Sequence, residues 1–129
     1  RAYLAKGNKV KQQLGPSTAE DIEELLAEDF EFVAPIVGPL GKEAIKAATK
    51  SVDFASAMPD FDARYHSFRA DPDDPNRMWC QMRVTGTLTG PLTFAGRTAQ
   101  PQNPPVRFES PPEGVSFRFD ADGKVREIT

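Results

Sequence analysis

Apolar and polar positions change their spacing part-way along the chain: up to about residue 53 the apolar residues recur at helical intervals, and beyond it they alternate. Tyr3, Leu4, Val10 and Leu14 predict a helix over residues 2–14, weakened by Gly7 and Asn8 and stopped by Gly15-Pro16. Ser17 and Glu20 have capping-box spacing, and Ile22, Leu25 and Leu26 give the apolar stripe of a second helix over 18–27. Glu20, Asp21, Glu23 and Glu24 crowd its amino end, where the helix dipole favours negative charge, so the acidic run has a structural reason without a metal. Phe30 to Val33, closed by Ala34-Pro35, predicts a brief strand, and residues 36–41, with two glycines and a proline, predict a loop. Ala44, Ile45, Ala48 and Val52 then place a third helix over 42–53.

From Phe61 onward the period is two. Strands are expected over 60–69, 77–89, 104–109, 114–120 and 124–129, forming one curved antiparallel sheet. In the longest run Met78, Cys80, Met82 and Val84 alternate with Trp79, Gln81, Arg83 and Thr85, a core face against an outer one. Residues 71–76 are a turn region, 96–105 a proline-rich loop, and Gly123 serves a tight turn that needs positive φ. Helices followed by strands mean an α+β domain with the helices packed on one face of the sheet. A single domain is expected to span residues 1–129, and the run 124–129 reads as the start of a strand that continues past Thr129.

Composition narrows the classes of function. With 129 residues, 39% of them hydrophobic and 27% charged, the chain can build one ordinary core. Sixteen basic against 19 acidic residues give a net charge of −3, which excludes binding of nucleic acid by general phosphate neutralisation. No apolar run reaches the roughly 20 residues of a membrane-spanning helix. Cys80 is alone, so an internal disulfide and a four-thiolate zinc site are both excluded; a lone thiol favours a reducing compartment such as the cytosol or plastid stroma. His66 is the one histidine, which excludes a histidine-rich metal site, and no motif calls for a cofactor.

Four segments in order resemble the SnoaL-like branch of the nuclear-transport-factor-two-like superfamily: residues 25–50, Met58-Pro59-Asp60, Gly86-Thr87-Leu88-Thr89-Gly90, and Phe119 to Glu127 with Asp122-Gly123-Lys124 at its turn. The resemblance covers most of residues 17–129 and implies a cone-shaped fold, a strongly curved antiparallel sheet wrapped around three N-terminal helices with a pocket inside. The superfamily includes polyketide cyclases, ketosteroid isomerases, dehydratases and members without catalysis, so the fold leaves function to the site.

Proton transfer next to a carbonyl needs a carboxylate or histidine in an apolar pocket and a donor for the developing oxyanion. Several relatives carry an acid just before the proline that ends the first strand; here that position is Ala34, and the resemblance carries over no catalytic residue. Asp62 and His66, on one strand face if the alternation holds, are the fallback acid/base pair; the other reading of His66 is a surface residue. Trp79, Gln81 and Arg83 are candidates for binding, either as a pocket wall that reads an acidic or aromatic ligand or as an outer-face surface for a partner or second copy. The interior is expected to be apolar, built from Ile22, Leu26, Phe30, Phe32, Ile45, Phe61, Met82, Phe117 and Phe119. The sequence thus favours a non-catalytic module, an accessory subunit contacting partner proteins or a holder of a small apolar ligand. The alternative is a cofactor-free cyclase, isomerase or dehydratase acting on a hydrophobic carbonyl compound.

Overall fold

The computed structural model describes residues 19–94 and 96–129. The helix expected over 2–14 and the Ser17 cap lie outside those residues. Helix α1 (Ala19–Leu25) runs directly into strand β1 (Leu26–Ala34), followed by β2 (Val37–Gly41), α2 (Lys42–Ser51) and the single turn α3 (Phe54–Ala57). The strands β3 (His66–Ala70), β4 (Arg77–Met82), β5 (Thr85–Thr87), β6 (Leu92–Phe94), β7 (Arg97–Ala99), β8 (Arg107–Glu109), β9 (Glu113–Phe119) and β10 (Val125–Ile128) complete the order. Six of them form a curved sheet in the order β2-β1-β10-β9-β4-β3, while β5–β8 and β6–β7 are separate two-stranded ladders. This is the expected α+β class.

The alternation read from the sequence sets the two faces. Met78 and Cys80 of β4 stand opposite Phe117 and Val115 of β9 and point to the helices. With Ile22, Leu25, Leu26, Phe30, Phe119 and Val125 they form one buried cluster, and Phe117, Met78 and Val125 are fully excluded from solvent. Burying side chains of this size contributes roughly 1.5–3 kcal/mol each, which makes the cluster the main support of the fold.

Several elements differ from the periodic reading. Residues 37–41 form an edge strand rather than a loop, with Leu40 opposite Phe32 and Gly41 opposite Glu31; an edge pairs on one side only and so tolerates Gly38 and Pro39. The run expected over 60–69 is a strand only from His66, because Arg64 and Ser67 adopt positive φ and break the alternation. The run expected over 77–89 divides. Buried Ser110 takes both backbone groups of Val84, its Oγ accepting from Val84 N at 2.9 Å and its N–H donating to Val84 O at 2.8 Å, which turns the chain away from β4. Part of the expected 96–105 loop is β7, paired with β6 and tied to it by a Thr93–Thr98 hydroxyl contact of 2.9 Å. The main sheet also contains one parallel pair, β1 with β10, so the final strand has neighbours on both sides.

Two of the motifs noted in the sequence meet in space. The Asp60 carboxylate accepts from Thr87 N and from Thr87 Oγ1, both at 2.7 Å. Gly86 lies against Met58, where an added Cβ would come within 3.0 Å of the sulfur. This joint fixes the segment after α3 against β5. A second joint fixes α1 to α2: buried Lys42 donates to Glu23 at 2.9 Å and Glu28 at 2.7 Å, and Lys46 donates to Glu23 at 2.6 Å.

Candidate functional site

The concave side of the sheet holds a cavity of about 650 Å³ lined by residues of α1, β1, α2 and α3, with Phe94 of β6. This lies within the range of roughly 300–1,000 Å³ usual for small-molecule sites. Its floor is Ile22, Leu25, Leu26 and Phe30, and its walls include Phe32, Ile45, Phe54, Phe61 and Ile128. Helix α2 reaches it because Ile45, Ala48 and Thr49 share one side of that helix, and Asp53 starts α3 by capping it, which turns Phe54 inward against Phe61 at a ring separation of 5.5 Å. Phe94 overhangs the rim and is 61% exposed. The cavity is apolar with a few polar groups.

Those groups are Asp53, Lys50, Thr49 and Tyr65. Asp53 Oδ1 accepts from Ser56 N at 3.0 Å, and the hydrogen bonds from Ser56 hold its carboxyl below the usual aspartate range. A carboxylate held this way is a weak proton acceptor. Tyr65 packs edge-on against Phe117, with ring centroids 6.0 Å apart. Burial first, and then the negative charges of Cys80 and Glu113, push its phenol up to about 12, so at neutral pH it is a neutral O–H and a hydrogen-bond donor. Its hydroxyl has no hydrogen-bond partner among the described residues.

The residues singled out in the sequence divide by location. Ile22, Leu26, Phe30, Phe32, Ile45 and Phe61 line the cavity; Phe117 and Phe119 lie in the core cluster, and Met82 faces inward but is only partly buried. Asp62 and His66 are both exposed and do not bond to each other. Instead each holds one backbone group of Arg64: Asp62 Oδ1 accepts from Arg64 N at 2.9 Å, and His66 Nδ1 lies 2.8 Å from Arg64 O. Trp79 and Gln81 lie on the sheet face away from the cavity, opposite Arg69 and His66 respectively, and the indole donates to Asp71 at 2.6 Å. Arg83 pairs with Glu109 at 2.7 Å. The outer face is otherwise a lattice of ion pairs: Arg118 with Asp74 at 3.0 Å, Arg126 with Asp29 at 2.9 Å and Arg77 with Glu127 at 2.6 Å. Cys80 is buried and its thiol is pushed up to about 11 by burial, which leaves it inert as a nucleophile.

Three residues emerge from the structure without having been singled out in the sequence. Lys50 and Tyr65 line the cavity. Glu113 stands opposite Met82 and continues the inward parity of Val115 and Phe117, at the exposed end of β9. The parity 113, 115, 117, 119 was the available signal, masked by Gly114 and the preceding prolines. Among the described residues no group of three or more His, Cys, Asp or Glu side chains is arranged to hold a metal ion.

The SnoaL-like domain model matches residues 13–128. The chain belongs to the SnoaL-like family. Among solved structures this SnoaL-like chain is similar to a protein described as a SnoaL-like polyketide cyclase from Jannaschia sp. CCS1, with a TM-score of 0.67, 19% identity, and coverage of 97% of this chain and 81% of that one. A nuclear-transport-factor-two-like protein of unknown function from Exiguobacterium sp. 255-15 aligns with a TM-score of 0.63 and 14% identity, over 95% and 93% of the two chains. A phenazine biosynthesis-related protein from Pseudomonas aeruginosa gives 0.59 and 21%, over 96% and 70%. At these identities the likenesses show a shared fold. No curated protein matches the sequence.

Proposed function

We propose that this SnoaL-like domain holds a small apolar ligand in its concave cavity without transferring a proton to or from it. The carrying observation is the composition of the cavity wall among the described residues: aromatic and aliphatic surface with a single carboxylate, Asp53, which is already committed to Ser56. Five phenylalanines, at 30, 32, 54, 61 and 94, offer flat faces suited to a ring-bearing ligand. Tyr65 supplies a donor for one acceptor atom on that ligand. Nothing in the fold speaks for an accessory-subunit role, and the reading rests on the cavity alone. The test is saturable binding of a neutral fluorescent probe, N-phenyl-1-naphthylamine, to the full chain. One probe per chain should bind, and Ala48→Phe, which fills the cavity from α2, should weaken binding at least tenfold. Absence of saturable binding, or binding unaffected by Ala48→Phe, would sink the reading.

One observation favours a second reading, cofactor-free proton transfer beside a carbonyl of the kind performed by cyclases and isomerases. Glu113 and Tyr65 share the concave side, Glu113 opposite Met82 on β9 and Tyr65 packed against the core beside Phe117. In that case Glu113 would take the proton and the Tyr65 O–H would stabilise the enolate oxygen. Exchange of solvent deuterium into an α-position of a bound aromatic ketone, lost in Glu113→Gln, separates this reading from simple binding.

A further inference from the structure

The three lysines of α2 form one row down the helix, at positions 42, 46 and 50. The first two are satisfied: Lys42 by Glu23 and Glu28, Lys46 by Glu23 and Glu43. The third has no ion-pair partner among the described residues, and it lies in the cavity wall. Among the described residues the cavity wall therefore holds a lysine without an ion-pair partner, while the one carboxylate there, Asp53, is bonded to Ser56. A ligand cation would meet a carboxylate already in use. A ligand anion would meet that lysine. Below Lys50 the wall is hydrocarbon and aromatic, from Ile45 through Phe54 and Phe61 to Phe30.

We infer that the cavity selects apolar carboxylic acids, the ring or hydrocarbon body lying among the phenylalanines and the carboxylate meeting Lys50 at the mouth. The inference rests on the reading of the cavity as a ligand pocket and adds to it the charge of the ligand. The Tyr65 hydroxyl remains available to a second polar atom on the ligand body. Because Lys50 is exposed, the attraction is screened by water and sets a preference rather than the bulk of the affinity. Exposed ion pairs of this kind correspond to preferences of up to about fivefold.

The experiment is calorimetric titration of the full chain with 2-naphthoic acid, its methyl ester and decanoic acid, with methyl-detected nuclear magnetic resonance to locate each at Ile45 and Ile128. The acid should bind a few-fold more tightly than its ester at low salt. Lys50→Met should remove that difference and leave the ester unchanged, and Lys50→Arg should retain it. Tighter binding of naphthoate than decanoate would assign the body of the ligand to an aromatic ring, and the reverse order to an alkyl chain, while the acid preference itself is read from naphthoate against its ester. Equal affinity for acid and ester, or an equal loss of both in Lys50→Met, would overturn the inference while leaving the pocket intact. Failure of all three probes to perturb Ile45 and Ile128 would overturn the pocket reading and this inference with it.

Discussion

Replacing Tyr65 by phenylalanine separates stability from recognition in a way that can be worked from the structure. The ring contact with Phe117 survives the change, and only the O–H is lost. That hydroxyl is largely desolvated and has no hydrogen-bond partner among the described residues, so removing it relieves a cost instead of breaking a bond. Because the side chain keeps some exposure, the gain at pH 7 should be small, under about 1 kcal/mol. The alkaline limb gives the larger signal. A phenol raised from 10.0 to about 12 in the folded state keeps its proton where the unfolded chain has lost it. Its contribution is fully present below pH 10 and is lost as the pH rises to about 12, at about 1.4 kcal/mol per pH unit and about 3 kcal/mol in all. Urea unfolding of both proteins from pH 7 to pH 12 should show the stability gap in favour of Tyr65→Phe widening only above pH 10. Cys80 loses stability in the same direction as the pH passes through its own raised value of about 11, and it largely cancels in the comparison. A constant gap across the range would show that the phenol is not raised, and a variant destabilised by more than about 1 kcal/mol at pH 7 would show that the hydroxyl is bonded; either result refutes the reasoning.

Other outcomes follow from the same contacts. Glu23, held down to about 2 by its hydrogen bonds from Lys46 and Lys42, contributes stability that is present above its unfolded value near 4.5 and lost as the pH falls through about 2. Glu23→Gln should therefore melt lower than the parent at pH 6, with the difference shrinking toward pH 2 in a thermal scan. Phe117→Ala removes a fully buried ring from the centre of the sheet and should cost about 3–5 kcal/mol in chemical unfolding; a loss below about 1 kcal/mol would contradict its place in the core. Gly123→Ala forces a side chain onto a backbone with φ of +80°, where nothing lies within 4 Å, so the cost should be the backbone's alone, about 1–2 kcal/mol by thermal unfolding.

What could be read in the sequence was whatever depended on local periodicity. Met78 and Cys80 against Trp79 and Gln81 were separable because β4 is a regular strand paired on both sides. The apolar cavity wall was visible in outline for the same reason, from the helix stripe of Ile22 and Ile45 and from the phenylalanines. The irregular joints were not visible. Positive φ at Arg64 and Ser67 has no signature in residue type, and it moves Asp62 and His66 out of the shared strand face that their spacing implied. The parallel pairing of β1 with β10 joins segments about a hundred residues apart, which no local pattern encodes. Lys42 is buried although lysine is ordinarily a surface residue, because acids from α1 and β1 converge on it. Lys50 has no signal of its own in the sequence, because it continues the lysine row at 42 and 46 beside the apolar stripe of α2 at 44, 45, 48 and 52, a pattern common to any solvated helix face.

A cavity that binds its ligand without a general base has no carboxylate poised near neutrality, and the ionisation of its carboxylates decides the matter. In a pH titration of the folded chain followed by carboxyl carbon resonances, Asp53 should titrate below the ordinary aspartate range, and no carboxylate facing the cavity should titrate near neutral pH. A carboxylate facing the interior that titrates close to pH 7 would contradict binding without a base and identify the base of an enzyme.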